Sequence, residues 1–569
     1  MLKEGSFTGR KFRLVYLGAL LGWVVSLLGG MADSIIAGMF LDSEAVSAVG
    51  LITPIESVFY FFSLVIGLGS AILYSRTLGA FQAERSKKIA GMGLFLAIVL
   101  GAVSAVILFF CRGAILHFYG VTDSLYQYAS AYYTPIILVL GIYPIFWTLY
   151  YLVSYDGDEK LILLADVLTA VSNTFFSLLL VRKMGIAGLG YGTFLSNVIA
   201  LACIMPHFRK KSNSISFKMY FSFDTLAQMI KLSSAIALIT LYMGIIDIAF
   251  NKIVIVLFSV EYLPAYAVIN VIMNFACALN CAISAGSMFV SVAYGENNPF
   301  SLKRVMNLTN KYAVFSSIGL TAILEVLAPV WPDLYAIEDP RIYDMALYAG
   351  RIIPVFFLAA AFVYTYLVYY PIIEKTIEGN ILVLCYMLIG PLAVAAPLAW
   401  IGGFNAMSLG FGITPIFALL VLYTYLLITG QSKKLPYLLD ESDEKETHFD
   451  LELKTDNVLN VRDRIARFLQ ENGVSETIVS KVELMVEDEL LYIMKKNTRK
   501  VICEVTVLVN DEHVRLISKD NGIIFDITEE ADDAVDFSAY VLANIMQNAH
   551  EASNSTTISF NRNMCIWER

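Results

Sequence analysis

Between Arg10 and Gln431 the chain is a succession of long apolar stretches separated by short polar intervals. Ile89–Cys111, Met184–Pro206 and Asn405–Thr429 each supply the ~20 residues a helix needs to cross a ~30 Å hydrocarbon core. Strands of a membrane barrel would be half as long and would alternate in polarity. The pattern predicts spans at Leu14–Phe40, Val49–Leu73, Ile89–Cys111, Ala131–Tyr155, Leu161–Val181 and Met184–Pro206. A polar interval, His207–Phe223, precedes Ser233–Ser259, Leu263–Tyr294, Tyr312–Trp331, Leu347–Tyr370, Ile381–Ile401 and Asn405–Thr429.

Past Leu435 the pattern changes. Pro436–Glu446 reads as a charged linker. Shorter periodic segments then predict a strand at His448–Leu453, helices at Val458–Asn472 and Glu476–Lys496, and strands at Ile502–Val509 and Val514–Lys519. A helix near Phe537–Asn548 and a last strand near Thr557–Asn561 complete the pattern. The fold class expected is an all-α polytopic membrane protein with twelve transmembrane helices in two six-helix lobes, residues 10–206 and 224–431, joined by 207–223. A linker at 432–446 leads to a small cytoplasmic α/β sandwich domain at 447–569.

Composition agrees with this division. The 569 residues are 58% hydrophobic and 16% charged, with mean hydropathy +0.67, whereas soluble chains average about half apolar and a quarter charged. From Leu435 onward 27 Asp and Glu face 14 Lys and Arg, a net of −13, and the remainder is slightly basic. No basic patch of nucleic-acid type is present, so no nucleic-acid partner is expected. The five histidines are scattered and no CxxC pair exists among the seven cysteines, so no metal site or cofactor is expected.

Positive charge orients the spans. Lys3, Arg10, Lys11 and Arg13 precede the first span, and Arg76, Arg85, Lys87 and Lys88 follow the second. Arg209, Lys210, Lys211 and Lys218 follow the sixth, Lys303 and Arg304 the eighth, and Lys433 and Lys434 the last. An even span count puts all of them on one side, with both termini in the cytoplasm. The basic Met1–Arg13 leads into an apolar stretch too long for a signal peptide, so a retained first span in the cytoplasmic membrane is expected.

The halves repeat. Gly69-Ser70, Gly79 and Lys87-Lys88 are answered by Gly286-Ser287, Gly295 and Lys303-Arg304, about 217 residues later, and Ala48-Val49 by Ala267-Val268. Six spans per copy make the copies parallel, a plan in which substrate sits between lobes that rock.

These features together resemble the multidrug and toxic compound extrusion (MATE) transporters. The resemblance rests on Asp33-Ser-Ile-Ile-Ala-Gly38, Ala45-Val-Ser-Ala-Val-Gly50 and the Gly69…Gly79 loop, and it covers residues 10–431. It implies an antiporter, not an enzyme, that exports organic, often cationic, small molecules against an inward flow of protons or sodium. It also implies that Asp33 couples transport to the ion.

A carboxylate in hydrocarbon needs a partner or a function. Asp33 lies two-thirds along the first span. Asp166, Asn173 and Ser177 fall on one face of the fifth; Asn173 matches the first member of the family's Asn-x-x-x-Asp pattern, and Ser177 stands where its acid would be. Asp247 and Asn251 are one turn apart in the seventh span. Tyr132, Tyr133, Tyr143, Trp147, Tyr150 and Tyr151 crowd the fourth span, either as an interfacial belt or as a cavity lining for a cation.

The tail resembles the histidine-kinase-like ATPase domains of anti-sigma factors. The similarity rests on Glu487-Asp488-Glu489 and on Asp520-Asn-Gly522-Ile-Ile-Phe525-Asp526. Glu487, Asp520 and Gly522 are the nucleotide-site candidates it implies. Tyr492 stands where the magnesium-coordinating Asn belongs, and the glycines of a phosphate-holding lid are missing. The domain is therefore expected to be an inactive ATPase that regulates or binds a cytoplasmic protein, and Asp520-Asn-Gly reads equally well as a turn. Two rival functions stay open: a flippase for lipid-linked precursors, and a membrane sensor signalling through the tail.

Overall fold

The computed structural model describes residues 6–41, 43–118, 123–210, 220–335, 337–440, 442–523, 551–556 and 560–569, with 213, 215, 218 and 549. The helix expected near Phe537–Asn548 lies outside the described residues.

Six helices form a first bundle: α1 (Phe7–Phe40), α2 (Ser43–Gly79), α3 (Ala83–Phe118), α4 (Asp123–Tyr155), α5 (Glu159–Met184) and α6 (Ala187–Ile204). The second bundle contains α7 (Phe223–Leu257), α8 (Leu263–Gly295), α9 (Pro299–Leu327), α10 (Pro340–Ile372) and α11 (Thr376–Ile428). The last of these is kinked at Gly403, whose φ of 75° only glycine adopts without strain. That break separates the two spans predicted at Ile381–Ile401 and Asn405–Thr429. Among the described residues nine helical stretches are long and apolar enough to cross a membrane, and this is a multi-pass membrane protein.

The helices start further out than hydropathy alone predicted, because polar end turns extend them. Ser6 caps α1 by accepting from the Gly9 amide, and Ser222 caps α7 by accepting from Thr225. At the end of the first bundle nearer the tail, His207 lies buried between Asp156 (3.1 Å) and Asp158 (3.0 Å), while the Tyr74 hydroxyl donates to Asp156 at 2.7 Å. The ends of α2, α4 and α6 are thereby tied together.

The bundles meet at this tail-side end. Gly79 packs against the Val292 carbonyl, and Gly295 packs against the Arg76 carbonyl, so closely that a β-carbon on either would overlap it. These are the paired glycines of the sequence repeat, brought face to face. Ser233 of α7 donates to the Val65 carbonyl of α2 at 3.0 Å, and Tyr155 of α4 to Ser287 of α8 at 2.8 Å.

The tail is a five-stranded antiparallel sheet in the order β1-β2-β3-β5-β4, with β1 Lys445–Glu452, β2 Ile502–Val509, β3 His513–Asp520, β4 Glu551–Thr556 and β5 Asn561–Glu568. Helices α12 (Thr455–Glu471) and α13 (Glu476–Lys496) cover one face. Strand alternation sends Val507, Leu516 and Cys565 toward them. Leu508, Ile517 and Met564 go to the opposite face, where they meet Phe81 and Phe300 of the membrane bundles.

One expectation fails here. A single final strand was expected near Thr557–Asn561, and two strands flank that segment instead. The reason lies in β5, whose Asn561, Arg562 and Asn563 are buried at 1–2% exposure. Their burial is stabilised by distant polar partners, so the strand shows no apolar alternation to read.

Candidate functional site

Asp33 comes from α1, about four-fifths of the way along an apolar helix, and is 8% exposed. Four uncharged donors surround its carboxylate. Asn173 Nδ2 (3.4 Å) and Ser177 Oγ (3.2 Å) reach Oδ1, while Thr193 Oγ1 (2.9 Å) and Tyr132 Oη (3.3 Å) reach Oδ2. Three further helices therefore converge on α1: α4 brings Tyr132, α5 brings Asn173 and Ser177, and α6 brings Thr193.

Glycines let these helices approach. On Gly192, just before Thr193, a β-carbon would stand 2.5 Å from Ser177 Oγ and 2.7 Å from its backbone nitrogen. On Gly190 it would stand 2.5 Å from the Pro135 ring. Small residues at such contacts allow the close helix packing typical of membranes. Here they allow the Thr193 hydroxyl to reach across to α1.

The cage has a second acceptor. Asn173 Oδ1 accepts from Thr193 (3.1 Å) and from Ser177 (3.4 Å), the same hydroxyls that face Asp33. Each hydroxyl carries one proton, so each chooses between the carboxylate and the amide oxygen. A proton on Asp33 releases both hydroxyls toward Asn173. Alternatively, the carboxylate, the amide oxygen and the hydroxyls form an all-oxygen set of the kind hard cations take.

Tyr132 was read from sequence only as one of a crowd of aromatics, and Thr193 was not singled out. Thr193 gave no signal because a threonine in a membrane helix can bond its own preceding turn, as this one also does to the Leu189 carbonyl at 3.2 Å. Glu56 of α2 also lies within electrostatic reach of Asp33.

Asp166 does not join the cage, although its face is shared with Asn173. Seven residues of helix place it about 10 Å further along α5. There it accepts from the Tyr150 hydroxyl at 3.1 Å and packs over Gly22 of α1. Aromatic rings stand beside it: Tyr60–Trp147, Trp147–Tyr150 and Tyr150–Tyr151 have centroids 5.0, 5.2 and 5.4 Å apart. The α4 aromatics thus face the bundle interior rather than forming a belt.

In the second bundle Asp247 lines a cavity of about 30 Å³ with Asn270, Asn274, Tyr386 and Phe411, room for roughly one water. Asn251 does not line that cavity and is exposed.

In the tail, the three helix acids separate. Glu487 pairs with Arg462 at 2.5 Å on the helical layer and faces away from Asp520. The acid beside Asp520 is Glu489, 1% exposed, which accepts from Ser518 and from Asn563 (2.6 Å). Burial, aided by the Asp520 charge, pushes the Glu489 carboxyl up to about 7 against those two donors. Burial likewise raises Asp520 to about 6. Asp520 Oδ1 accepts from the Gly522 amide (2.7 Å) and from Asn561 Nδ2 (3.0 Å). These are the contacts of a turn tied to β5.

A family model described as MatE matches residues 19–179, the stretch that carries Asp33, Tyr132 and Asn173. Over that stretch the membrane region is similar to the MATE family. The chain is 24% identical over 319 residues to a probable multidrug resistance protein, YoeA, of Bacillus subtilis, covering 52% of this chain and 67% of that one. It is 23% identical over 237 residues to the multidrug export protein MepA of Staphylococcus saprophyticus, covering 41% and 52%. The chain thus spans about half to two thirds of the length of these relatives. A solved structure described as the outward-facing conformation of a multidrug resistance MATE family transporter superposes with a TM-score of 0.69 at 20% identity. The superposition covers 76% of this chain and 98% of that one, so the MATE fold takes in the membrane part and leaves the tail over.

Proposed function

We propose that this protein is a MATE secondary active exporter in which inward flow of a proton or sodium ion at Asp33 drives organic compounds out. Twelve spans, six in each of two lobes at 10–206 and 224–431, make up the transporter. Basic loops place both termini and the tail at 447–569 in the cytoplasm of a cell with this protein in its cytoplasmic membrane. The observation that carries the reading is the Asp33 cage: a buried carboxylate held by four neutral donors, two of which have an alternative acceptor in Asn173. Such a site changes its occupant without breaking a salt bridge.

The half-buried rings of Tyr60, Trp147, Tyr150 and Tyr151 beside Asp166 suit a flat organic cation, by ring faces and one carboxylate. This acidic, aromatic interior favours a cationic drug over the anionic headgroup of a lipid-linked precursor. The test is dye efflux from vesicles under separately imposed proton and sodium gradients. Native protein is expected to export under one of them, and Asp33→Asn to export under neither while remaining inserted and monodisperse. Normal export by Asp33→Asn would remove the assignment.

A further inference from the structure

The tail touches both bundles at once, and through the same residue. Arg562 of β5 is 1% exposed. Its Nη1 pairs with Glu296 Oε1 at 3.0 Å, just after Gly295 of the second bundle. Its Nη2 donates to the carbonyl of Leu78, just before Gly79 of the first. The guanidinium also lies over the Phe81 ring, 4.6 Å from its centroid. Lys519 of β3 holds the other oxygen of Glu296 at 3.0 Å.

Around this centre the grip extends to each bundle separately. Thr8 of α1 donates to Glu504 of β2 at 2.6 Å, and the Phe7 amide to Asp450 of β1 at 3.1 Å. Arg304 of α9 pairs with Glu446 of β1 at 2.7 Å, and Arg515 of β3 donates to the Glu296 carbonyl at 2.7 Å. The sheet face of Leu508, Ile517 and Met564 covers Phe81 from one bundle and Phe300 from the other.

We infer that the tail is an intramolecular clamp that holds the lobes together at their cytoplasmic end and so opposes the inward-open half of the transport cycle. The inference rests on the transporter reading above. The Gly79 and Gly295 loops interlock backbone to backbone, and opening that end requires them to part. Arg562 cannot then keep both Leu78 and Glu296. Losing Glu296 leaves the buried Arg562 charge without its carboxylate, and losing Leu78 gives up a charge-assisted bond, so the docked tail favours the closed seam. Glu296 follows Gly295 as Ala80 follows Gly79. The acid on one loop only gives the sheet a single seating.

The clamp is tested in the full chain with Cys111→Ser and spin labels at Ala83→Cys and Lys303→Cys, exposed positions at the starts of α3 and α9. Pulsed electron resonance reads the distance between lobes, and vesicle dye flux is measured in parallel. The native chain is expected to give one short distance. Arg562→Gln, and separately Glu296→Gln, are expected to add a longer-distance population. They should also raise the initial export rate about twofold or more, as a shift of population away from the locked state requires. Because the two variants remove the same bond from opposite partners, either reads the clamp if the other misfolds. A distance distribution unchanged in a folded variant would overturn the clamp. Absence of dye flux in the native chain would instead overturn the transporter reading and leave the distances to decide the clamp.

Discussion

The Thr193 hydroxyl lies 2.9 Å from Asp33 Oδ2 on a helix 160 residues further along the chain, and 3.1 Å from Asn173 Oδ1 as well. One proton faces two acceptors, and the choice depends on what occupies Asp33. This makes Thr193 a switchable donor rather than a fixed strut.

Thr193→Val keeps the shape of the side chain and removes the hydroxyl. A hydrogen bond to a charged group is worth about 1.5–3 kcal/mol, so gradient-driven efflux is expected to fall roughly tenfold or more. Thr193→Ser should keep most of it. Equal activity in the two variants, measured as initial dye efflux in vesicles, would show that the hydroxyl does not take part.

Gly192→Ala drives a β-carbon into Ser177. Overpacking of this kind costs about 1–3 kcal/mol, and here it also withdraws Thr193 from Asp33. Both the thermal midpoint and efflux should drop. Gly319→Ala, where a β-carbon meets nothing within 4 Å, is the comparison. It should be neutral or slightly stabilising, since alanine is the better helix former by up to about 1 kcal/mol.

The tail is expected to be more stable in mild acid than at alkaline pH. Glu489 has its carboxyl raised by burial to about 7, above its ordinary value of 4.5. Between those values the folded tail therefore binds a proton that the unfolded chain releases. The stabilisation is complete below the lower value and is lost as pH rises through about 7. Asp520, raised to about 6, acts in the same direction. Protection of the β3 and β5 amides in the full chain, with the intrinsic base-catalysed exchange rate divided out, should fall between about pH 4.5 and pH 7, a window set by these shifted acids. Glu489→Gln should flatten most of that dependence, and an unchanged slope in that variant would show that other groups set it.

Magnesium ATP is expected not to saturate the full chain at concentrations up to about 1 mM, where even a binding energy near 4 kcal/mol would show. Asp520 already spends its carboxylate on Gly522 and Asn561, and Glu487 on Arg462. Equilibrium dialysis with labelled nucleotide decides it, and a saturable isotherm would make the tail a nucleotide-binding module.

The long helix of the tail matches its predicted bounds, Glu476–Lys496, and β2 matches at Ile502–Val509. The helix is apolar at a clean period; β2 is bounded by its β-branched run, although its polar Glu504 and Thr506 are buried too, on the face turned to the membrane bundles. Asp33, Asn173 and Ser177 were legible for a related reason: polar atoms stranded in apolar helices stand out whatever they touch. Glu487 misled because three successive acids carry no mark of which one faces the sheet. The rotation of α13 turned Glu489 inward.

The spans, the repeat and the stranded acids follow from sequence alone, since water and hydrocarbon sort residues by polarity and the period of that sorting is written along the chain. Tertiary packing decided which donors close on Asp33, that Asp166 sits apart with Tyr150, and that Asn251 stays out of the cavity Asp247 lines. It alone decided that Arg562 buries its charge between two lobes. Those relations join residues far apart in the chain, and a hydrogen bond depends on tenths of an ångström between helices. No local pattern records that spacing, whereas the glycines that permit it act only once the helices have met.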